Sequence, residues 1–231
     1  MKYRGLDPRT RPLRWALYLL VIGAVLYVTA PGAAQTVAGW FGASAESLPW
    51  YVSRGLGFLG FWALTASVVY GLLLSTGILD SVSHRAVNLT LHQDLSAISI
   101  ALVALHGAVL VLDKFVQTTV FQIAVPFATD YRPVWVGVGQ LCFYVMGVVY
   151  ASFFFRKRLG QRGWRMLHYT TFLAFIGGAV HGLMAGTDTS APWALWSYAA
   201  SIAVVVFLLI YRIAMSVARA SSRGAATPER S

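Results

Sequence analysis

Apolar runs of about 20 residues recur along this chain, each long enough to cross a hydrocarbon core about 30 Å thick. Of the 231 residues, 58% are hydrophobic and 11% charged, more apolar surface than a water-soluble domain of this size needs. A transmembrane barrel would instead show alternating segments of about 10 residues. The runs here do not alternate, so the chain reads as an all-α membrane protein.

Six transmembrane helices are expected, over residues 13–30, 51–79, 87–112, 134–155, 166–185 and 193–215. Pro31-Gly32 ends the first. Ala30 to Ala34 resembles a signal-peptidase site, but the run before it is longer than a signal peptide's and is kept as a span. Trp40, Phe41, Trp50 and Tyr51 are placed like an interfacial aromatic belt. The longest connection, 113–133, has an apolar middle broken by Pro126. It reads as a short amphipathic or re-entrant piece on the outer surface. A basic turn, 156–165, joins the fourth and fifth spans. Residues 1–12 form an N-terminal segment and 13–215 one helical domain, while the Ala/Ser/Arg-rich 216–231 is expected to be disordered.

The net charge of +10 does not point to nucleic acid, because the basic residues flank the hydrophobic runs. With six spans, 15 of the 18 Lys and Arg fall on the side of both termini. Only Arg54, Lys114 and Arg132 fall on the other. The positive-inside bias therefore places both termini in the cytoplasm, in a multi-pass cell-membrane protein whose basic clusters meet membrane lipid.

Two segments echo each other. Leu91-His92 leads to His106-Gly107 and then Asp113; Leu167-His168 leads to His181-Gly182 and then Asp188. An ionisable side chain inside a span is a functional candidate by default. A lone histidine is ambiguous, but four in matched pairs are a different matter. At about 1.5 Å per residue, His92 and His106 are about 21 Å apart and His168 and His181 about 20 Å. The third and fifth spans run parallel, so they offer one pair, His92 with His168, near the cytoplasmic edge. The other pair, His106 with His181, lies near the outer edge. Imidazole is a common axial ligand of haem iron, and two per iron make a low-spin electron carrier. The reading is two b haems, an inner and an outer one. The single cysteine, Cys142, excludes an intrachain disulfide and, without C-x-x-C-H, covalent haem attachment.

Angle is a harder test than height. Fourteen residues bring His106 back to within about 40° of His92, whereas thirteen leave His181 about 140° from His168. Gly177-Gly178 lies between them and is the place for a kink. Gly107 and Gly182, next to the outer ligands, suit close approach of a porphyrin or of a neighbouring backbone. Phe172 and Phe175 fall between the two levels, as core filling or as packing between haems. Arg54 is the only charge in the second span, near the outer face. It suits a haem propionate or an anionic substrate, with snorkelling as the alternative.

These features resemble the ferric reductase-like transmembrane domain family. That family includes the haem-bearing membrane domains of NADPH oxidases and ferric-chelate reductases, and the haem subunit of the bacterial methionine-sulfoxide repair system. The resemblance covers residues 50–211 and rests on the His spacings of 14 and 13. Context comes from Trp50-x-x-x-Arg54-Gly55, Pro126-Phe127, Tyr131-Arg132-Pro133, Trp164-Arg165-x-Leu167-His168-Tyr169 and His181-Gly182 through Gly186-Thr187-Asp188. It implies that the four histidines are bis-His ligands of two b haems, with Arg54 near the outer one. It further implies electron transfer from a cytoplasmic or membrane donor to an acceptor outside.

Family reductases that act alone carry a C-terminal flavin and NAD(P)H domain. Here only residues 216–231 follow the last span, and no G-x-G-x-x-G follows a strand. Electrons are then expected from a separate flavoprotein, from quinol, or from a larger membrane complex, with this chain as haem subunit of a reductase system. The basic turn beside the inner haem suits an acidic donor. Competing readings are a quinol-linked cytochrome b subunit and a structural subunit of a larger complex. A small-molecule transporter is disfavoured, because no inverted repeat of broken helices is present.

Overall fold

The computed structural model describes residues 46–81 and 83–225, with Gln35, Thr36 and Gly39. The expected first span, together with Trp40 and Phe41, lies outside the described residues. Five α-helices follow in order: α1 Leu48–Thr76, α2 Arg85–Val109, α3 Val120–Ala124, α4 Pro133–Ala185 and α5 Pro192–Ala225. A 3-10 turn, Leu110–Leu112, extends α2, and two more lie at Ile78–Ser81 and Asp188–Ser190. Four of these helices are long and apolar enough to cross a membrane, and no strand occurs among the described residues.

α1 carries a proline in its first turn, where the missing N–H leaves nothing unpaired, and stops at Gly77 in the left-handed region. α2 packs back antiparallel along it on a seam of small polar residues. Ser53 meets His106, Gly60 meets Ser99, and Ser67 meets His92. The partners recur every seven residues on both helices, so each two-turn step returns the same faces to contact. Ser99 is fully buried and donates its hydroxyl to the Gly60 carbonyl at 2.9 Å. A Cβ on Gly60 would strike Val103, which is why the helices approach so closely here.

The chain reverses inside the basic turn expected at 156–165, and it does so at one residue, Gly160. α4 runs 53 residues, and only Gly160, at φ 70° and ψ 161°, is non-helical within it. A straight helix of that length would span about 80 Å, against a bilayer core of about 30 Å. Instead the two arms fold on each other. His181 touches Trp135 and Gly139, and Gly177 touches Cys142, pairs that bracket Gly160 almost symmetrically. The fourth and fifth expected spans are thus two helical arms that meet at Gly160. Arg, Lys, Leu and Gln on either side are good helix formers, so the helix persists up to a single residue in a region open essentially to glycine. Open space surrounds the Gly160 Cα, so Gly160→Ala is expected to cost about 1–2 kcal/mol through backbone strain alone. Gly163→Ala, also in open space but helical, is expected to cost nothing. Thermal melts of the two variants in detergent check this.

α5 corrects an expectation. The sixth span is expected at 193–215 and disorder at 216–231, but the helix continues to Ala225, and residues 226–231 lie outside the described residues. Alanine and arginine favour a helix, and Arg219 donates to the Thr76 carbonyl at 3.1 Å, satisfying the last turn of α1. The core gathers at mid-height. Phe61 of α1 stacks on Phe175 of α4 at 5.5 Å, beside Tyr198 of α5, Leu64, Met146 and Ala174, with Phe172 partly buried against them. Phe175 therefore fills the bundle between the two histidine levels. The expected kink at Gly177-Gly178 does not occur; Gly177 instead admits Cys142 of the opposite arm.

Candidate functional site

The α1–α2 seam and the second arm of α4 bring the four histidines together in two pairs. The rings of His92 and His168 lie 6.0 Å apart, and those of His106 and His181 6.1 Å apart. The sockets that hold them come from α1 and the first arm of α4. His106 Nδ1–H donates to the Ser53 carbonyl at 2.7 Å, His92 to the Ser67 carbonyl at 2.9 Å, and His181 to the Trp135 carbonyl at 2.9 Å. A carbonyl can only accept, so the proton sits on Nδ1 and Nε2 keeps its lone pair. The Ser53 hydroxyl returns a bond to the His106 carbonyl at 2.9 Å, closing a two-way clamp.

A glycine four residues after each acceptor lets the imidazole lie against the neighbouring backbone. A Cβ on Gly57 would come 3.1 Å from His106, on Gly71 3.2 Å from His92, and on Gly139 2.6 Å from His181. His168 is held differently. Trp164, one turn earlier on the same helix, stacks on it at 5.1 Å with the rings 22° apart. The two histidines of α4 thus lean on different neighbours, His181 on the opposite arm and His168 on its own helix. That is how the 13-residue spacing works without a kink.

Around His106 and His181 lies a cavity of about 410 Å³, in the size range of ligand sites. The 113–133 connection roofs it. There α3 is capped by Thr119 and Gln122, and Gln140 Nε2 donates to the Gln122 and Ile123 carbonyls at 2.7 Å. Tyr131 donates to the Ala185 carbonyl at 3.0 Å, tying the roof to the end of α4. Gly107 and Gly182 both line the cavity. Gly182 also makes room for the Tyr198 hydroxyl, whereas Gly107 makes only ordinary contact with Ile123.

Arg54 lines the same cavity, and its charge is already engaged. Nε donates to Asp188 at 2.7 Å and Nη2 to the other carboxylate oxygen, a two-point pair reaching across 134 residues. Asp188, the residue that ends the second of the two echoing segments, is its counter-ion.

Sequence reasoning missed the sockets: Ser53, Gly57, Ser67, Gly71, Trp135 and Gly139. A signal was present. Ser-x-x-x-Gly occurs twice in α1 with a 14-residue offset, the same offset as His92 and His106.

Among the described residues no three His, Cys, Asp or Glu side chains gather to hold a bare metal ion. Two facing imidazoles, at two levels, are what the chain presents. A family model described as ferric reductase like transmembrane component matches residues 56–179, which include His92, His106 and His168. No curated protein and no solved structure matches the chain. The match takes in more than half of the sequence, so this membrane protein belongs to the ferric reductase-like transmembrane component family, whose domain implies electron transfer across a membrane.

Proposed function

We propose that the protein carries electrons across the cell membrane through two b-type haems. His92 and His168 would be axial ligands of the inner haem, and His106 and His181 of the outer. The observation that carries this reading is the ring separation. Two imidazoles on opposite sides of one metal, at metal–nitrogen distances of about 2.0 Å, place their centroids about 6 Å apart. Both pairs stand at that distance.

Other residues fit the same group. Each histidine pair is a donor set that would hold one haem iron. Trp164 Nε1 is buried beside His168 with no acceptor among the described residues, and a propionate carboxylate would supply one. Arg54 keeps Nη1 for a propionate at the outer level while Asp188 offsets its charge.

Haem supplies an iron that takes up and releases one electron. The chain does the rest. The carbonyls of Ser53, Ser67 and Trp135 fix three imidazoles in one tautomer and raise their basicity as ligands. The apolar core around Phe61 and Phe175 keeps water from the space between the levels. With both termini in the cytoplasm, a flavoprotein or quinol donor would deliver electrons at the His92 level, as to the haem subunit of a reductase system. An acceptor would collect them at the His106 level.

Reduced-minus-oxidised spectra and a pyridine haemochrome count test this. The wild type is expected to hold about two b haems per chain, and His106→Ala about one. Unchanged haem content in His106→Ala would refute the pairing.

A further inference from the structure

The two pairs are not held alike. Three of the four imidazoles are bolted by Nδ1–H to a carbonyl of a different helical segment, at 2.7–2.9 Å, with a glycine beneath. His168 makes no such bond among the described residues, and no described glycine backs it. What it has is Trp164, at the (i, i+4) position that places two side chains on one face of a helix. A directed bond fixes a ring's rotation and makes its other nitrogen a better donor. A stack restrains tilt but leaves the ring free to slide and turn in its plane, and it adds nothing to basicity.

We propose that Trp164 is the positioning residue for His168, and that the His92–His168 site is the one at which an axial imidazole yields to a small neutral ligand. This rests on the bis-His haem reading above. Losing an outer-shell partner typically weakens a metal ligand about 10- to 100-fold. His168 starts without the partner that its three counterparts have. The indole is then its main restraint, and removing the indole should free it. The outer site, with both imidazoles bolted, should resist exchange.

Carbon monoxide on the dithionite-reduced, haem-loaded full chain is the probe, with heme content counted in each protein. Trp164→Leu is expected to bind CO at about half of its haem, at least about 10-fold faster than wild type, as one bond-lacking ligand of four predicts. Trp164→Phe keeps a ring to stack and is expected to stay within a few-fold of wild type. His106→Ala in the Trp164→Leu background should keep the fast CO phase, and His92→Ala should abolish it. Should Trp164→Leu fail to fold, the slow CO phase of the wild type serves instead, and it must survive His106→Ala. The proposal is overturned if Trp164→Leu matches wild type, if Trp164→Phe reacts like Trp164→Leu, or if the CO-reactive haem disappears with His106. Wild type without haem would instead overturn the bis-His reading itself.

Discussion

Gly139→Ala is expected to empty the outer level as completely as removing His181 itself, taking the chain from about two haems to about one. The added methyl would stand 2.6 Å from His181 Nδ1, 2.7 Å from Cγ and 2.9 Å from Cε1, so the whole ring face is struck. The ring has nowhere to go. Its Nδ1–H is fixed to the Trp135 carbonyl, one turn earlier on the same arm, and Cys142 fills the contact at Gly177 below. Overpacking of this kind typically costs about 1–3 kcal/mol, and here it falls on an imidazole proposed to hold the outer haem. Gly147 provides the control. It lies about two turns further along the same arm with open space around it, so Gly147→Ala should keep both haems. Haem counts on the two variants decide the matter. Equal content in both would mean that the glycine under His181 is not a socket.

Asp188→Ala should destabilise the fold by about 2–3 kcal/mol, between the limits for exposed and buried ion pairs. Arg54 is 30% exposed and Asp188 14%, so the deletion leaves a half-buried guanidinium without its counter-ion. Arg54→Gln with Asp188→Asn should recover most of the loss, because neither side then carries an uncompensated charge. Melting curves in detergent, for the single and the double variant, test both halves. A double variant no better than the single would show that the pair acts through the loop it tethers and not through charge.

Much of the site was legible in the sequence because helix rise is rigid. Fourteen and thirteen residues convert to heights with little freedom, so the pairing of His92 with His168 and His106 with His181 could be read before any fold was known. The sockets were harder. Every residue has a carbonyl, so the acceptors at Ser53, Ser67 and Trp135 carry no residue-type signature. Only the repeated Ser-x-x-x-Gly of α1 hinted at them.

The ion pair was illegible for a different reason. Arg54 and Asp188 stand 134 residues apart, and no local rule joins them. The angular objection to His168 and His181 assumed that both must lean on one neighbour. They lean on two, and of the glycine pair expected to bend the helix, Gly177 instead seats Cys142 while Gly178 makes ordinary contact with Phe61. Composition misled at the ends of elements. Ser216 onward looked like a polar tail, yet Ala and Arg sustain α5 to Ala225, and Arg219 holds it against the end of α1.

The seven-residue seam between α1 and α2 constrains how such a domain can change length. Inserting or deleting one residue between Ser53 and Ser67 would rotate one acceptor about 100° away from its imidazole while leaving the other in place. A tolerated indel must therefore come as a whole two-turn block, matched on both helices at once. The vertical gap between the two histidine levels is in that sense quantised, and the hairpin works as a gauge block cut to a single size.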